Sequence, residues 1–232
     1  MRPQADLPLV IAHRGASGYA LENSVAAFRE AAGRGADGIE LDVHAAADGS
    51  FFVHHDPAIS GIGMIAETTT ARLSTHRLPN GEPLPTLGVA LAASAGLDVW
   101  VEVKGLDPRW DAALLTELGH GPTPERYAVH SFDHRIIARL GEREPAIRRG
   151  VLLSSYLIDP VAAVHAADAD TLWMRADFID LELVEALSQA GLAVIAWTVN
   201  GEAEVRRLAG LGLHAICGNY PDLIRTNIAH HA

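Results

Sequence analysis

The chain is poor in cysteine, in cations, in aromatic rings and in long apolar runs. Its 232 residues include one cysteine, Cys217, so no intramolecular disulfide and no cysteine-based metal site can form. Lys and Arg total 18 against 29 Asp and Glu, for a formal net charge of −11. Such a chain does not hold nucleic acid through bulk charge, and an anionic substrate has to be met by local cations. No stretch approaches the roughly 20 apolar residues of a membrane span. The beginning, with Arg2 and Asp6 near the short apolar run 9–12, lacks the pattern of a secretory signal. The expectation is a cytoplasmic protein without stable membrane association. What is present is an ordinary composition, 49% hydrophobic and 20% charged. That suffices for one core and excludes disordered, collagenous and disulfide-scaffold classes.

Short aliphatic runs alternate with Ala/Leu/Glu/Arg-rich stretches of helical spacing. Strands are expected at 9–12, 38–43, 98–103, 127–130, 149–153, 171–174, 193–197 and 214–217. Helices are expected near 24–34, 87–95, 110–118, 134–141, 160–166, 181–190, 202–210 and 222–228. Asn23-Ser24 offers an N-cap to the first helix, and Gly191, Gly210 and Gly212 read as helix stops. Repeated strand–helix pairs imply parallel crossovers, and eight of them in this length predict a closed (β/α)8 TIM barrel. A doubly wound open sheet is the alternative. No linker divides the chain, so residues 1–232 read as one domain. The exception to the rhythm is 56–85, rich in Gly and Pro, which reads as a functional loop or a surface excursion. His230-His231 carries no assigned role.

Strands covered on both faces should be apolar, so charges inside them need a reason. In Gly38-Ile39-Glu40-Leu41-Asp42-Val43-His44, Glu40 and Asp42 share one face while Ile39, Leu41 and Val43 share the other. In Val101-Glu102-Val103-Lys104, Glu102 and Lys104 again share a face. The first strand ends in His13-Arg14, and another short run ends in His54-His55-Asp56. All fall near the C-terminal ends of strands, where barrels of this kind keep their active sites. A single pair, Glu102 with Arg14 or Glu40 with Lys104, could be a structural salt bridge. Stacking the whole set without function would be costly, because buried charges are replaced readily by apolar groups. Trp197 at the end of the seventh strand reads as core or as a substrate shelf. His130-Ser131, closing the fourth strand, is within reach of the mouth. His44, His76, His120, His134, His165 and His214 read as surface or capping residues.

Glu40, Asp42 and Glu102 offer only oxygen ligands, which favours a hard cation, Mg²⁺ or Ca²⁺, over zinc. Three carboxylates with Arg14 and Lys104 leave the pocket at about −1, and a divalent ion brings it to about +1. A phosphodiester is then attracted, at roughly 4 kcal/mol per unit pair 4 Å apart at intermediate dielectric. Two histidines at the mouth supply an acid and a base for moving protons to and from phosphate ester oxygens.

These motifs resemble those of the glycerophosphodiester phosphodiesterases, in particular the short bacterial cytosolic type. The matching strings are Ala12-His13-Arg14-Gly15, Glu22-Asn23-Ser24, Gly35-Ala36-Asp37-Gly38-Ile39-Glu40-Leu41-Asp42-Val43, His55-Asp56, Leu84-Pro85-Thr86-Leu87, Val101-Glu102-Val103-Lys104, Trp197-Thr198-Val199-Asn200 and Tyr220-Pro221-Asp222. The resemblance implies a TIM barrel without the large inserted subdomain of longer relatives, and hydrolysis of a small-molecule glycerophosphodiester to glycerol 3-phosphate and an alcohol. It implies His13 and His55 as the acid/base pair, Glu40, Asp42 and Glu102 as ligands of a divalent cation, and Arg14 and Lys104 on the phosphate. It also implies attack by the substrate's own 2-hydroxyl through a cyclic phosphate. Of the two adjacent histidines, His55 rather than His54 fits, because it directly precedes Asp56. Leu21 stands where relatives carry Pro, the run 57–64 departs from their Arg-Thr-Thr loop, and Cys217-Gly218-Asn219 replaces a Thr-Asp or Thr-Asn ending, which predicts a lost polar contact. Three other readings compete. A lysolipid or sphingolipid substrate would use the apolar loop 59–65 as a rim. A non-catalytic binding module would lack the complete acid and base set, and a two-carboxylate glycosidase would need a pair straddling a sugar.

Overall fold

The structure is a computed structural model that describes residues 7–229. Arg2, Asp6 and His230-His231 lie outside the described residues. The elements run β1 (Leu9–His13), α1 (Val25–Gly33), β2 (Gly38–Ala45), β3 (Phe51–Val53), β4 (Ala58–Ile59), β5 (Gly63–Met64), α2 (Thr70–Leu73), α3 (Leu87–Ala93) and β6 (Asp98–Gly105). They continue α4 (Asp111–Gly119), β7 (Tyr127–Ser131), α5 (His134–Arg143), β8 (Arg148–Leu153), α6 (Pro160–Ala166) and β9 (Thr171–Arg175). The last are α7 (Leu181–Gln189), β10 (Ala193–Trp197), α8 (Glu202–Ala209), β11 (Ala215–Gly218) and α9 (Pro221–Ala229).

Strands β1, β2 and β6–β11 pair in parallel, and β1 meets both β11 and β2, so the sheet closes on itself as the expected eight-stranded barrel. Side-chain alternation divides the apolar residues into two cores. Val10, Ile39, Leu41, Val43, Val99, Val101 and Val103 face outward against the helices, with Phe28, Leu87, Leu114 and Ile137 from the helical side. Ile11, Trp100, Ala128, Leu152, Trp173, Ile195 and Cys217 fill the barrel interior. Helix starts are fixed by side chains that satisfy orphan amides. Ser24 Oγ accepts from Ala27 N at 3.1 Å, and Asp159 and Asp180 cap α6 and α7 in the same way.

The segment 56–85 is not the irregular loop its composition predicts. It forms a small hairpin, β4 with β5, then the short helix α2. Ile59, Ile65, Leu73, Leu78 and Leu84 bury themselves against Ala46 and Phe52 as a satellite core. Ile59 and Ile65 are therefore core residues, Ile62 packs on them, and Met64 alone of this apolar set is substantially exposed. The rim that a lipid substrate would use in 59–65 is thereby reduced to Met64 and the half-buried Ile62. Among the described residues no helix is long and apolar enough to cross a membrane.

The closing strand leaves no spare volume. A Cβ on Gly218 would lie 1.9 Å from the Val199 carbonyl oxygen, which is backbone and cannot swing aside. Gly218→Ala is expected to cost about 3 kcal/mol by overpacking, seen as a thermal midpoint lowered by about 6–12 °C. An unchanged midpoint would contradict this packing.

Candidate active site

The barrel register gathers the three acids. Glu40 lies opposite His13 on one side and Trp100 on the other, and Asp42 lies opposite Glu102. All three are buried, and one oxygen from each comes within 4.8 Å of the others. Three carboxylates this close repel strongly unless countercharged. Burial, then the charges of Asp42 and Glu102, pushes the Glu40 carboxyl well above its ordinary range. Glu102 is pushed up to about 7, chiefly by burial, with Lys104 opposing and Asp42 adding. Burial also works to raise Asp42, but Lys104 and Arg14 outweigh it and hold that carboxyl below its ordinary value. The donor set is all oxygen, and Glu40 Oε1 accepts no hydrogen bond within the protein. The residues therefore fit a hard divalent cation.

Both predicted cations reach this cluster, with pairings other than those read from the sequence. Lys104 Nζ lies 2.7 Å from Asp42 and 2.6 Å from Glu102, rather than on Glu40. Arg14 Nε lies 3.2 Å from Asp42, and its Nη1 bonds both Glu22 oxygens at 3.0 Å, rather than Glu102. The Arg14 backbone N–H donates to Glu40 Oε2 at 3.0 Å. Lys104 owes its aim to a bulge. Val43 pairs with Val103 and His44 with Gly105, which leaves Lys104 as the extra residue of β6. Asn23, held at positive φ, donates to Asp42 at 2.7 Å.

The two catalytic candidates approach along one edge of β2. β1 pairs with β2 up to Glu40, and beyond it β3 takes the same edge over Val43–Ala45. The His54 N–H donates to the Asp42 carbonyl at 3.1 Å. The chain after β3 thus descends towards His13, about 7 Å along the strand. His13 Nδ1–H donates to Asn219 Oδ1 at 2.8 Å, leaving Nε2 towards Glu40, 4.0 Å away. Burial, then the Arg14 charge, lowers the His13 pKa to about 4. His55 reaches the site through its backbone. Its Nδ1–H donates to Asp56 Oδ1 at 2.9 Å, and its side chain is 39% exposed.

The placement of His44 and the role of Asn219 escaped the sequence reading, whereas Trp197 and His130 were among its candidates. His44 is not a surface residue: it is 9% exposed, and its Nε2–H donates to the His55 carbonyl at 3.2 Å. Its shared parity with Glu40 and Asp42 was the available signal. The polar contact expected to be lost at the end of the last strand is present, because Asn219 itself holds His13, and Asn200 Oδ1 accepts from Asn219 N at 2.8 Å. Trp197 ends β10 half-buried, edge-on to the exposed Phe132 ring at 5.6 Å, and its indole N–H has no partner. His130 is buried in the barrel, with its Nε2 4.0 Å from Glu40 Oε1.

Cations that seek an anion, set among acids that seek a cation, at the C-terminal mouth of such a barrel define a class, the barrel hydrolases of phosphoric diesters. The chain belongs to the glycerophosphoryl diester phosphodiesterase family, whose model matches residues 13–223. A glycerophosphodiester phosphodiesterase of Caldanaerobacter subterraneus subsp. tengcongensis is 30% identical, over 93% of this chain and 96% of that one. A phosphodiesterase of Oleispira antarctica, solved in complex with the product sn-glycerol-3-phosphate, is 30% identical with a TM-score of 0.89, covering 96% of this chain and 97% of that one. A Parabacteroides distasonis glycerophosphodiester phosphodiesterase shares the fold at 22% identity, with a TM-score of 0.88 over 97% and 98% of the two chains. The protein is accordingly an enzyme of the phosphodiesterase type.

A raised carboxyl pKa makes folding prefer the protonated acid. Glu102 therefore favours the fold below about pH 4.5, and that advantage is lost as pH rises through about 7. In chelator, Glu102→Gln is expected to gain stability over the native protein from pH 5 to pH 8, by up to about 3 kcal/mol. Urea unfolding at the two pH values measures it, and parallel curves would refute it.

Proposed function

We propose that the protein hydrolyses glycerophosphodiesters to sn-glycerol 3-phosphate and an alcohol. In this reading a divalent cation, Mg²⁺ or Ca²⁺, is held by Glu40, Asp42 and Glu102, and His13 and His55 form the acid/base pair. Residues 1–232 act as one domain, in the cytoplasm. The observation that carries the reading is the shared edge of β2, along which β1 brings His13 and β3 brings the His55 segment beside the acidic trio. The product bound by the Oleispira relative, sn-glycerol-3-phosphate, supports the same substrate class here.

His13 is the group disposed to take the first proton. Its Nδ1–H is committed to Asn219, its Nε2 carries the lone pair, and its lowered pKa keeps it neutral near pH 7. It accepts the proton of the substrate's 2-hydroxyl as that oxygen bonds to phosphorus. His55, oriented by Asp56, donates a proton to the departing alcohol oxygen as its bond to phosphorus breaks. The product of this half is a cyclic phosphate. In the second half the roles reverse: His55 takes a proton from water as its oxygen bonds to phosphorus, and His13 returns one to the 2-oxygen as the bond from that oxygen to phosphorus breaks. An internal nucleophile arrives already oriented, which removes much of the entropic cost of attack. Arg14 and Lys104 are the cations that face the non-bridging oxygens, and Trp197 is a shelf for the organic part. When bound, the cation supplies a fixed positive charge against phosphate oxygens.

The test is a panel of glycerophosphodiesters with a glycerol 3-phosphate readout, run with Mg²⁺, with Ca²⁺ and with chelator. Chelation is expected to abolish turnover. His13→Ala and His55→Ala should each lose about 10²–10⁴-fold in kcat, and a variant keeping over a tenth of the native rate removes that residue from the pair. Lys104→Ala should lower kcat/KM more than tenfold.

A further inference from the structure

His130 is a buried residue that the mechanism above does not use. It projects from β7 into the barrel interior at 1% exposure, among Ala128 of the same strand, Leu152 of β8 and Ile195 of β10. Its ring lies against Trp173, centroids 4.2 Å apart, and edge-on to Trp100 at 5.7 Å. Stacking alone needs no ring nitrogen, and a phenylalanine would fill the place. Yet neither nitrogen of His130 has a hydrogen-bond partner, which is a rare condition for a buried polar group. One of them, Nε2, points at the Glu40 oxygen that is equally without a partner, across 4.0 Å. The other Glu40 oxygen is already fixed by the Arg14 amide.

We propose that His130 is a positioning residue for the cation site, its Nε2–H closing onto Glu40 Oε1 and holding that carboxylate in its ligating orientation. The gap needs a movement of about 1 Å to reach hydrogen-bond length. Partners of this kind, one step behind the ligands, set ligand orientation and commonly account for 10–100-fold in metal affinity. The inference rests on the reading of Glu40, Asp42 and Glu102 as ligands of a divalent cation.

The experiment compares the native protein with His130→Phe, which keeps the aromatic volume, and His130→Gln, which restores an N–H donor. Mg²⁺ and Ca²⁺ binding is measured by calorimetry, thermal unfolding is recorded in chelator, and turnover is followed as a function of cation concentration. His130→Phe is expected to weaken cation binding at least tenfold while its midpoint in chelator stays at or above the native value. Its turnover should return as the cation is raised. His130→Gln should recover most of the lost affinity. Native-like cation affinity in His130→Phe would overturn the proposal and leave the ligand reading standing. So would equal losses in both variants accompanied by lowered midpoints in chelator, which mark a packing role alone. Absence of cation binding by the native protein would overturn both.

Discussion

Three carboxylates buried within 4.8 Å of one another form the constraint around which the mouth of this barrel is arranged. Left bare, they would repel one another and resist desolvation. Two cations and two neighbouring donors answer that repulsion. Lys104 divides itself between Asp42 and Glu102, Arg14 takes Asp42 and Glu22, and the Arg14 amide and Asn23 supply further donors. The arrangement keeps negative charge where a cation can use it, and keeps Arg14 and Lys104 on the same acids.

Strand β2 is the common rail. It carries two of the acids, lends its lower edge to β1 with His13, and lends its upper edge to β3 and the His55 segment. Its opposite edge meets β6, where the bulge aims Lys104. A small shift in the register of this one strand would therefore move the acids, His13 and the countercharge together.

The acids were legible in the sequence for a simple reason. Alternation in a strand is a fixed period, and Glu40, Asp42 and Glu102 interrupt otherwise apolar runs, so their common face followed from counting. The eight-fold rhythm was legible in the same way. Lys104 had the right parity, but the bulge that aims it depends on how two strands pair, which no single segment encodes. His44 shared the parity of its neighbours, yet its partner is a backbone carbonyl of another segment. Cys217-Gly218-Asn219 reads as an ending short of one polar group, but the hold of Asn219 on His13 arises only where the last strand closes against the first. The satellite core was hidden because Ile59, Ile65, Leu73, Leu78 and Leu84 follow neither a helical nor a strand period.

That satellite core gives the enzyme a modular side wall. The segment 58–84 buries its own apolar residues against Ala46 and Phe52, in a cluster separate from the barrel's two main cores. The wall can thus be lengthened, trimmed or exchanged as a cassette, provided that its two anchors, Ala46 and the β3 residue Phe52, are kept. Changes in this segment would act on the wall that follows the His55-Asp56 pair, at a remove from the pairing of the strands that carry Glu40, Asp42 and Glu102.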